Sequence, residues 1–436
     1  MTTARENELM TLTSRGTAGG GLLRQYWQPA ALVEELDASR PVVPVKLLGE
    51  ELVLFRDERG RLGLVDRYCP HRRADLCFGR RENGGLRCPF HGWLFDVSGQ
   101  CLEQPGEPEG SKAYQYLRQR AYPCEERNGI VFAYLGEGTP PAFPAFDCFT
   151  APAAHSFAFK GWWECNWLQA LEVGIDPVHP SFLHRFLEDE TTDGSYGRQF
   201  RAEAADSAMP LTKILREHSR PSIRLEDTAY GFRLVTTRAL AEASTHYRIT
   251  NLVFPNAIVI PMSREMTITQ WHVPIDDVNC YWYSLFTSFG APVERETMRR
   301  QRLDHHTLPE YRPIQGRENR WGFDAGNQAK TFTGLGMDVN AHDQWAVESP
   351  GRIHDRTQEH LGTSDVGIVK YRKLLLAAIR AVQDGARAPF SPDAGETSQM
   401  GRPVAIDAIG ADSGCWQRSD RERRENCSWA RQQESR

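Results

Sequence analysis

CPHRRADLCFGRRENGGLRCPFHGW, from Cys69 to Trp93, sets two cysteines and two histidines in two short pairs. The first is Cys69-Pro70-His71; the second, Cys88-Pro89-Phe90-His91, begins after sixteen intervening residues. Both lie between strand-like segments, and Pro70, Pro89 and Gly92 stiffen the turns, as a rigid two-loop clamp requires. A metal site is the leading reading. Structural zinc takes partners two to four residues apart, and the first pair has one residue between its ligands. Zinc and ordinary core cysteines with hydrogen-bonded histidines are the simpler alternatives.

The surrounding pattern is β-rich. PVVPVKLLGEELVLFRDERGRLGLVDRYC alternates in short runs broken by Gly49, Asp57, Gly60 and Gly63. GWLFDVSGQCL reads as a hairpin turning at Ser98-Gly99, and GIVFAYLGEG from Gly129 as another strand. TPPAFPAF, Thr139 to Phe146, is the candidate linker. Beyond it, GWWECNWLQALE predicts a helix. YGFRLVTTRAL, HYRITNLVFPNAIVIP, MTITQWHVPI and NCYWYSLFTSF predict strands of an antiparallel sheet packed by helices. Apolar periodicity predicts a helix over Thr363 to Gly385. The expected class is α+β: a helical lead-in at 1–40, an all-β unit at 41–140, a larger unit at 141–385, and a polar C-terminal extension at 386–436.

Composition narrows the function classes. The net charge of −5 offers no global basic field for nucleic acid. No apolar run approaches the roughly 20 residues of a membrane span, and the N-terminus lacks a signal-peptide core. Ten cysteines in mixed contexts do not read as a disulfide framework, so a reducing cytoplasm is expected. The run from Gly16 to Gly21 follows no strand and reads as a flexible turn, not a dinucleotide-binding loop.

The mixed Cys-x-His and Cys-x-x-His pairs fit a Rieske [2Fe–2S] centre, in which two thiolates hold one iron and two imidazoles the other. Neutral imidazoles remove negative charge and raise the potential above that of an all-cysteine cluster. CPHRRADL followed by CPFHGWLFD resembles the Rieske domain of the aromatic-ring-hydroxylating oxygenases. The likeness covers about residues 20 to 385 and is strongest to the phthalate and chlorobenzoate dioxygenase-like large subunits, a group that also includes aryl demethylases. It implies a helix-grip-like catalytic domain and a mononuclear non-haem Fe(II).

NWLQALEVGIDPVHPSFLH, Asn166 to His184, resembles the family's Asp-x-x-His-x-x-x-x-His block. His179 and His184 would diverge by roughly 140° on a straight helix. Pro180 is expected to break that helix and let them converge. Two histidines and a carboxylate are the ligand set of such iron sites. AHDQWAVESPGRIHDRTQEHLGTSD resembles the segment that supplies the acid. Asp343 fits that position, with Asp338 and Asp355 as rivals. The resemblance gives Asp176 a bridging role: it would hydrogen-bond His179 and reach a cluster histidine, His71 or His91, of a neighbouring copy. That contact implies a trimer or a hexamer of stacked trimers. Asn166 matches a polar residue near the iron.

The implied reaction takes O2 and two electrons, relayed from NAD(P)H by a separate flavin and iron–sulfur reductase, and forms a cis-dihydrodiol on an aromatic carboxylate such as phthalate or a (chloro)benzoate. Oxidative O-demethylation of a methoxybenzoate uses the same metals and stays open. So do a bare electron carrier and a zinc-stabilised binding protein. A carboxylate in an apolar pocket requires a cation. Lys213, Arg224, Arg233, Arg238 and Arg248 are available, and Arg238 and Arg248 lead because they stand in apolar or β-rich runs.

Overall fold

The computed structural model describes residues 2–37, 39–187, 211–241, 243–393 and 400–434. Alternation builds the first half. β1 (Trp27–Leu32) is followed by β2 (Val42–Leu47), β3 (Glu50–Arg56) and β4 (Leu62–Asp66). In β2, Val43, Val45 and Leu47 are buried while Pro44 and Lys46 face water, the period of two of a half-buried strand. Three-residue strands β5 (Arg80–Glu82), β6 (Gly85–Arg87), β7 (Leu94–Asp96) and β8 (Cys101–Glu103) make a second sheet. β9 (Ala121–Tyr122) closes the order β2-β3-β4-β9, while β10 (Cys124–Arg127) and β11 (Ile130–Tyr134) join β1.

The lead-in differs from expectation. β1, inside residues 1–40, pairs with β11, so this region already contributes a strand to the β half. The helices before it, Ala4–Thr11 and Ala18–Leu23, pack against the Val366–Gln383 helix of the C-terminal half. The glycine run is no flexible turn. Thr17 caps the second helix by accepting from the Gly20 amide. A Cβ at Gly20 would lie 2.3 Å from the Thr13 carbonyl oxygen, so only glycine permits this approach.

The second half is built on an antiparallel sheet of β12 (Ser156–Trp163), β13 (Ser222–Thr228), β14 (Gly231–Ala239), β15 (Thr245–Val253), β16 (Ala257–Pro261), β17 (Met266–Pro274) and β18 (Cys280–Ser288). Its order is β12-β18-β17-β16-β15-β14-β13. β19 (His306–Thr307) and β20 (Arg312–Pro313) form a small hairpin. Every second residue, such as Ile258 and Ile260 or Ile268, Gln270 and His272, faces a cavity. On the other face Trp271 meets Phe132 of β11 edge-on at 5.4 Å, tying the two halves together. Gly161 to Trp163 belong to β12, and the helix predicted there begins only at Trp167.

The C-terminal extension is also corrected. β21 (Ile406–Gly410) joins β15, and helices Cys415–Asn426 and Ser428–Glu434 follow. Ile406, Ala408 and Trp416 pack against Val235, Tyr247 and Ile249. The segment read as polar because its arginines are used inside: Arg423 and Arg424 are buried against Asp420, and Arg424 also against Asp147. Residues 394–399 of that extension lie outside the described residues. No helix among the described residues is long and apolar enough to cross a membrane.

Candidate metal centres

The two loops of the opening stretch come together at one end of the β half. Each is a tight turn closed by its own backbone: the Arg73 amide donates to Cys69 O at 2.9 Å and the Gly92 amide to Cys88 O at 3.0 Å. Gly92, at φ +75°, makes the second turn possible. Cys69 and Cys88 are buried, while His71 and His91 reach the outer edge with ring centres 4.5 Å apart. His71 stacks on Trp93 at 4.4 Å and 5°, which fixes its ring plane. Burial, with the facing Cys88, pushes the Cys69 thiol up to about 11. As a free thiol Cys69 stays protonated, so a cation is needed to hold it as a thiolate. The four side chains fit a [2Fe–2S] cluster with thiolates inward and imidazoles toward solvent.

The second set gathers His179, His184 and Asp343, whose ligand atoms all lie within 4.8 Å of one another. Asp343 Oδ1 is 3.2 Å from His184 Nε2 and 3.8 Å from His179 Nε2. It is buried yet aligned with no hydrogen-bond donor, so three lone-pair donors face one common space. That is the arrangement a divalent cation fits. Burial and the neighbouring His184 lower the His179 pKa, which keeps the ring neutral and its lone pair available. Burial works against ionisation of Asp343, but the facing His184 holds its carboxyl below the usual range.

Convergence arises differently from the expected broken helix. The Trp167–Gly174 helix ends before either histidine. His179 opens a single 3-10 turn, His179–Ser181, with Pro180 inside it, and His184 follows in the next turn. Asp343 is presented from helix Val339–Glu348. Its rivals have other work: Asp338 caps that helix through the Asn340 amide, and exposed Asp355 bonds Thr357.

Two expected roles change. His179 Nδ1 lies 2.6 Å from the backbone carbonyl of Asp176, which fixes the ring. The Asp176 carboxylate instead accepts from the Val178 amide at 2.8 Å, and its other oxygen is 3.9 Å from His179 Nδ1. A proline-tightened loop brings the main chain to the ring before the side chain can reach it. Asn166 does not reach the iron set. It caps the Trp167–Gly174 helix and is not among the residues that line the cavity. Its amide is spent on Leu168 N, Thr11 O and Asp277 O.

The three ligands open on a cavity of about 180 Å³ beneath the sheet, walled by residues such as Trp163, Phe186, Trp282 and Phe286. Arg248 and Arg302 also reach its wall. The other candidate cations do not. Lys213 is exposed on helix Leu211–Glu217, exposed Arg224 pairs with Glu226, and Arg233 pairs with Glu226 beneath Trp416. Arg238 is buried and donates to the His218 and Pro177 carbonyls. Burial and the nearby Arg248 pull its pKa down to about 10.

Sequence reasoning missed His342 and His272. His342 Nδ1 is 3.4 Å from His184 Nδ1, and its Nε2 lies 3.0 Å from Gly336 O. Its place next to Asp343 in the sequence was an available signal. His272 lines the cavity, fully buried, and burial pushes its pKa down to about 3.

Residues 26–123 match the Rieske [2Fe-2S] domain, and residues 133–426 the family described as LigXa C-terminal domain like. The chain is 35% identical over 408 residues to the phthalate 4,5-dioxygenase oxygenase subunit of Pseudomonas putida, covering 89% of this chain and 88% of that one. It is 30% identical over 426 residues to the 3-chlorobenzoate-3,4-dioxygenase oxygenase subunit of Comamonas testosteroni, covering 92% and 94%. Identity to the 5,5'-dehydrodivanillate O-demethylase oxygenase subunit of a Sphingobium strain is 31% over 395 residues, covering 88% and 82%. The structure of NdmA from Pseudomonas putida CBB5 with caffeine has the same fold, with a TM-score of 0.56 at 20% identity over 88% of this chain and 97% of that one. The chain belongs to the Rieske non-haem iron oxygenases, among the oxygenase subunits related to phthalate and chlorobenzoate dioxygenases. It is an oxidoreductase that uses a Rieske cluster, a mononuclear iron and O2.

Proposed function

We propose that this chain is the terminal oxygenase component of a multicomponent system that cis-dihydroxylates an aromatic carboxylate, such as phthalate or a (chloro)benzoate. Cys69, His71, Cys88 and His91 hold the cluster; His179, His184 and Asp343 hold the catalytic iron. Bound there, the iron supplies the O2 chemistry. One ring, one O2, two electrons and two protons give one dihydrodiol. The electrons originate in NAD(P)H and pass through a separate flavin and iron–sulfur reductase.

The protein's own residues position and insulate. The Asp176 carbonyl holds His179 by its Nδ1–H, leaving Nε2 toward the metal. Burial pushes His342 down to about 4, so it stands beside His184 as a neutral ring. The apolar walls keep water from the reacting ring. The partly exposed Asp176 carboxylate faces a neighbouring copy's His71 or His91 in a closed trimer or stacked hexamer.

The observation that carries this reading is the set of His179, His184 and Asp343 opening on a largely apolar cavity, in a chain two of whose relatives are named for aromatic acids. The O-demethylase relative favours a second reading, in which a methoxy ring, O2, two electrons and two protons give a phenol, formaldehyde and water. Product analysis with a surrogate reductase and a panel of benzoates, phthalates and methoxybenzoates separates them. A cis-diol acid supports the first, formaldehyde with a phenol supports the second, and neither product from any acid overturns both.

A further inference from the structure

The cavity wall carries an ion pair that the oxygen chemistry does not use. β15 and β21 pair in antiparallel register with Arg248 directly opposite Asp407. Alternation therefore puts His246, Arg248 and Asp407 on the cavity side of the sheet, while Tyr247, Ile406 and Ala408 pack on the other. Asp407 is 3% exposed. Its Oδ2 accepts from Arg248 Nη1 at 2.5 Å, and its Oδ1 lies 2.9 Å from His246 Nε2. Arg248 Nη2 donates to Pro261 O at 3.2 Å. Burial opposes ionisation of Asp407, but the Arg248 charge and the His246 bond hold its carboxyl below the usual range.

Arg248 thus reaches the cavity with its charge already compensated. A carboxylate approaching it would lose hydration and meet a neutral pair, so the cost of desolvation is not repaid. A neutral oxygen loses less and can accept from a guanidinium N–H that Asp407 and Pro261 leave unused, since the group has five. Arg238 stands behind the wall and does not line the cavity: its guanidinium donates to the His218 and Pro177 carbonyls.

We propose that Asp407 is a specificity-determining residue: a resident carboxylate that cancels Arg248 and restricts that end of the cavity to neutral, hydrogen-bond-accepting substituents. Resting on the aromatic-acid reading, with Arg302 as the other cation on the cavity wall, this favours a ring with one carboxylate and a neutral second group over a ring with two carboxylates.

The test is calorimetric titration of the holoenzyme with two matched probes, phthalate and its monoamide 2-carbamoylbenzoate. The wild type binds the monoamide more tightly. Asp407→Asn uncovers Arg248 and shifts the affinity ratio toward phthalate by about tenfold. Arg248→Gln leaves Asp407 uncompensated and shifts the ratio the other way; the double variant returns it close to wild type. A ratio unchanged within about twofold in Asp407→Asn overturns the proposal. If that variant does not fold, an unchanged ratio in Arg248→Gln overturns it instead. The aromatic-acid reading fails separately, if the wild type binds neutral phthalamide as tightly as either acid while Asp407→Asn still shifts the ratio.

Discussion

The two metal centres of this chain are built in opposite ways. The proposed cluster ligands, Cys69 to His91, fall within 23 consecutive residues, and two backbone-closed turns present them at an edge. The proposed iron ligands join a 3-10 turn to a helix, with Asp343 159 residues after His184. The first centre puts its imidazoles toward solvent. The second puts its open side toward a largely apolar cavity. A site set by turns is nearly independent of the rest of the fold. A site set by packing depends on all of it.

That contrast can be broken or sharpened by substitution. The largest effect is expected from Asp343→Ala, which removes one iron ligand and should lower turnover by more than about a hundredfold, beyond the loss typical of groups behind the ligands. Steady-state assays measure this; turnover near wild type would contradict Asp343 as a ligand. Next, His71→Cys should lower the cluster potential by on the order of 100 mV or more, since imidazole ligation raises it. Redox titration followed by EPR reads this, and the mononuclear iron should be retained.

Asp176→Asn should act between the centres. The backbone carbonyl still holds His179, so both metals stay, while reoxidation of the reduced cluster slows by about 10–100-fold. Stopped-flow absorbance gives the rate, and a wild-type rate would remove Asp176 from the electron path. The smallest effect is expected from Glu359→Gln, which touches neither centre. Burial opposes its charge, but the His354 and Arg372 hydrogen bonds hold its pKa at about 2. A depressed carboxyl pKa contributes stability above its usual value of 4.5 that is lost as pH falls toward about 2. The variant should melt roughly 2 °C lower at pH 7, with the gap shrinking below about pH 4.5.

The same contrast explains what was legible. The Cys69–His91 spacing is a local signal, as is the alternation of Val43, Val45 and Leu47, and both read directly from sequence. Arg248 and Arg238 look equivalent in sequence, each a charge in a β-rich run. What separates them is which group each guanidinium meets: Asp407 for Arg248, and main-chain carbonyls for Arg238. Asp407 itself stood in a segment that looked like a solvated tail. The arginines beyond it are neutralised by buried acids, Asp420 on their own helix and, for Arg424, Asp147 far away in sequence, so a charged stretch hides a packed helix. Asp176 was placed near the correct ring with the wrong atom, because spacing fixes neighbourhood and only the backbone path decides whether carbonyl or carboxylate arrives.

The central claim is that one chain carries two separable iron sites. It is tested most directly by measuring iron and acid-labile sulfide in the purified wild type and in Asp343→Ala. The account predicts about three iron and two sulfide per wild-type chain, and about two of each in the variant with the cluster absorption intact. Zinc in place of iron in the wild type, or loss of sulfide together with iron in the variant, would contradict it.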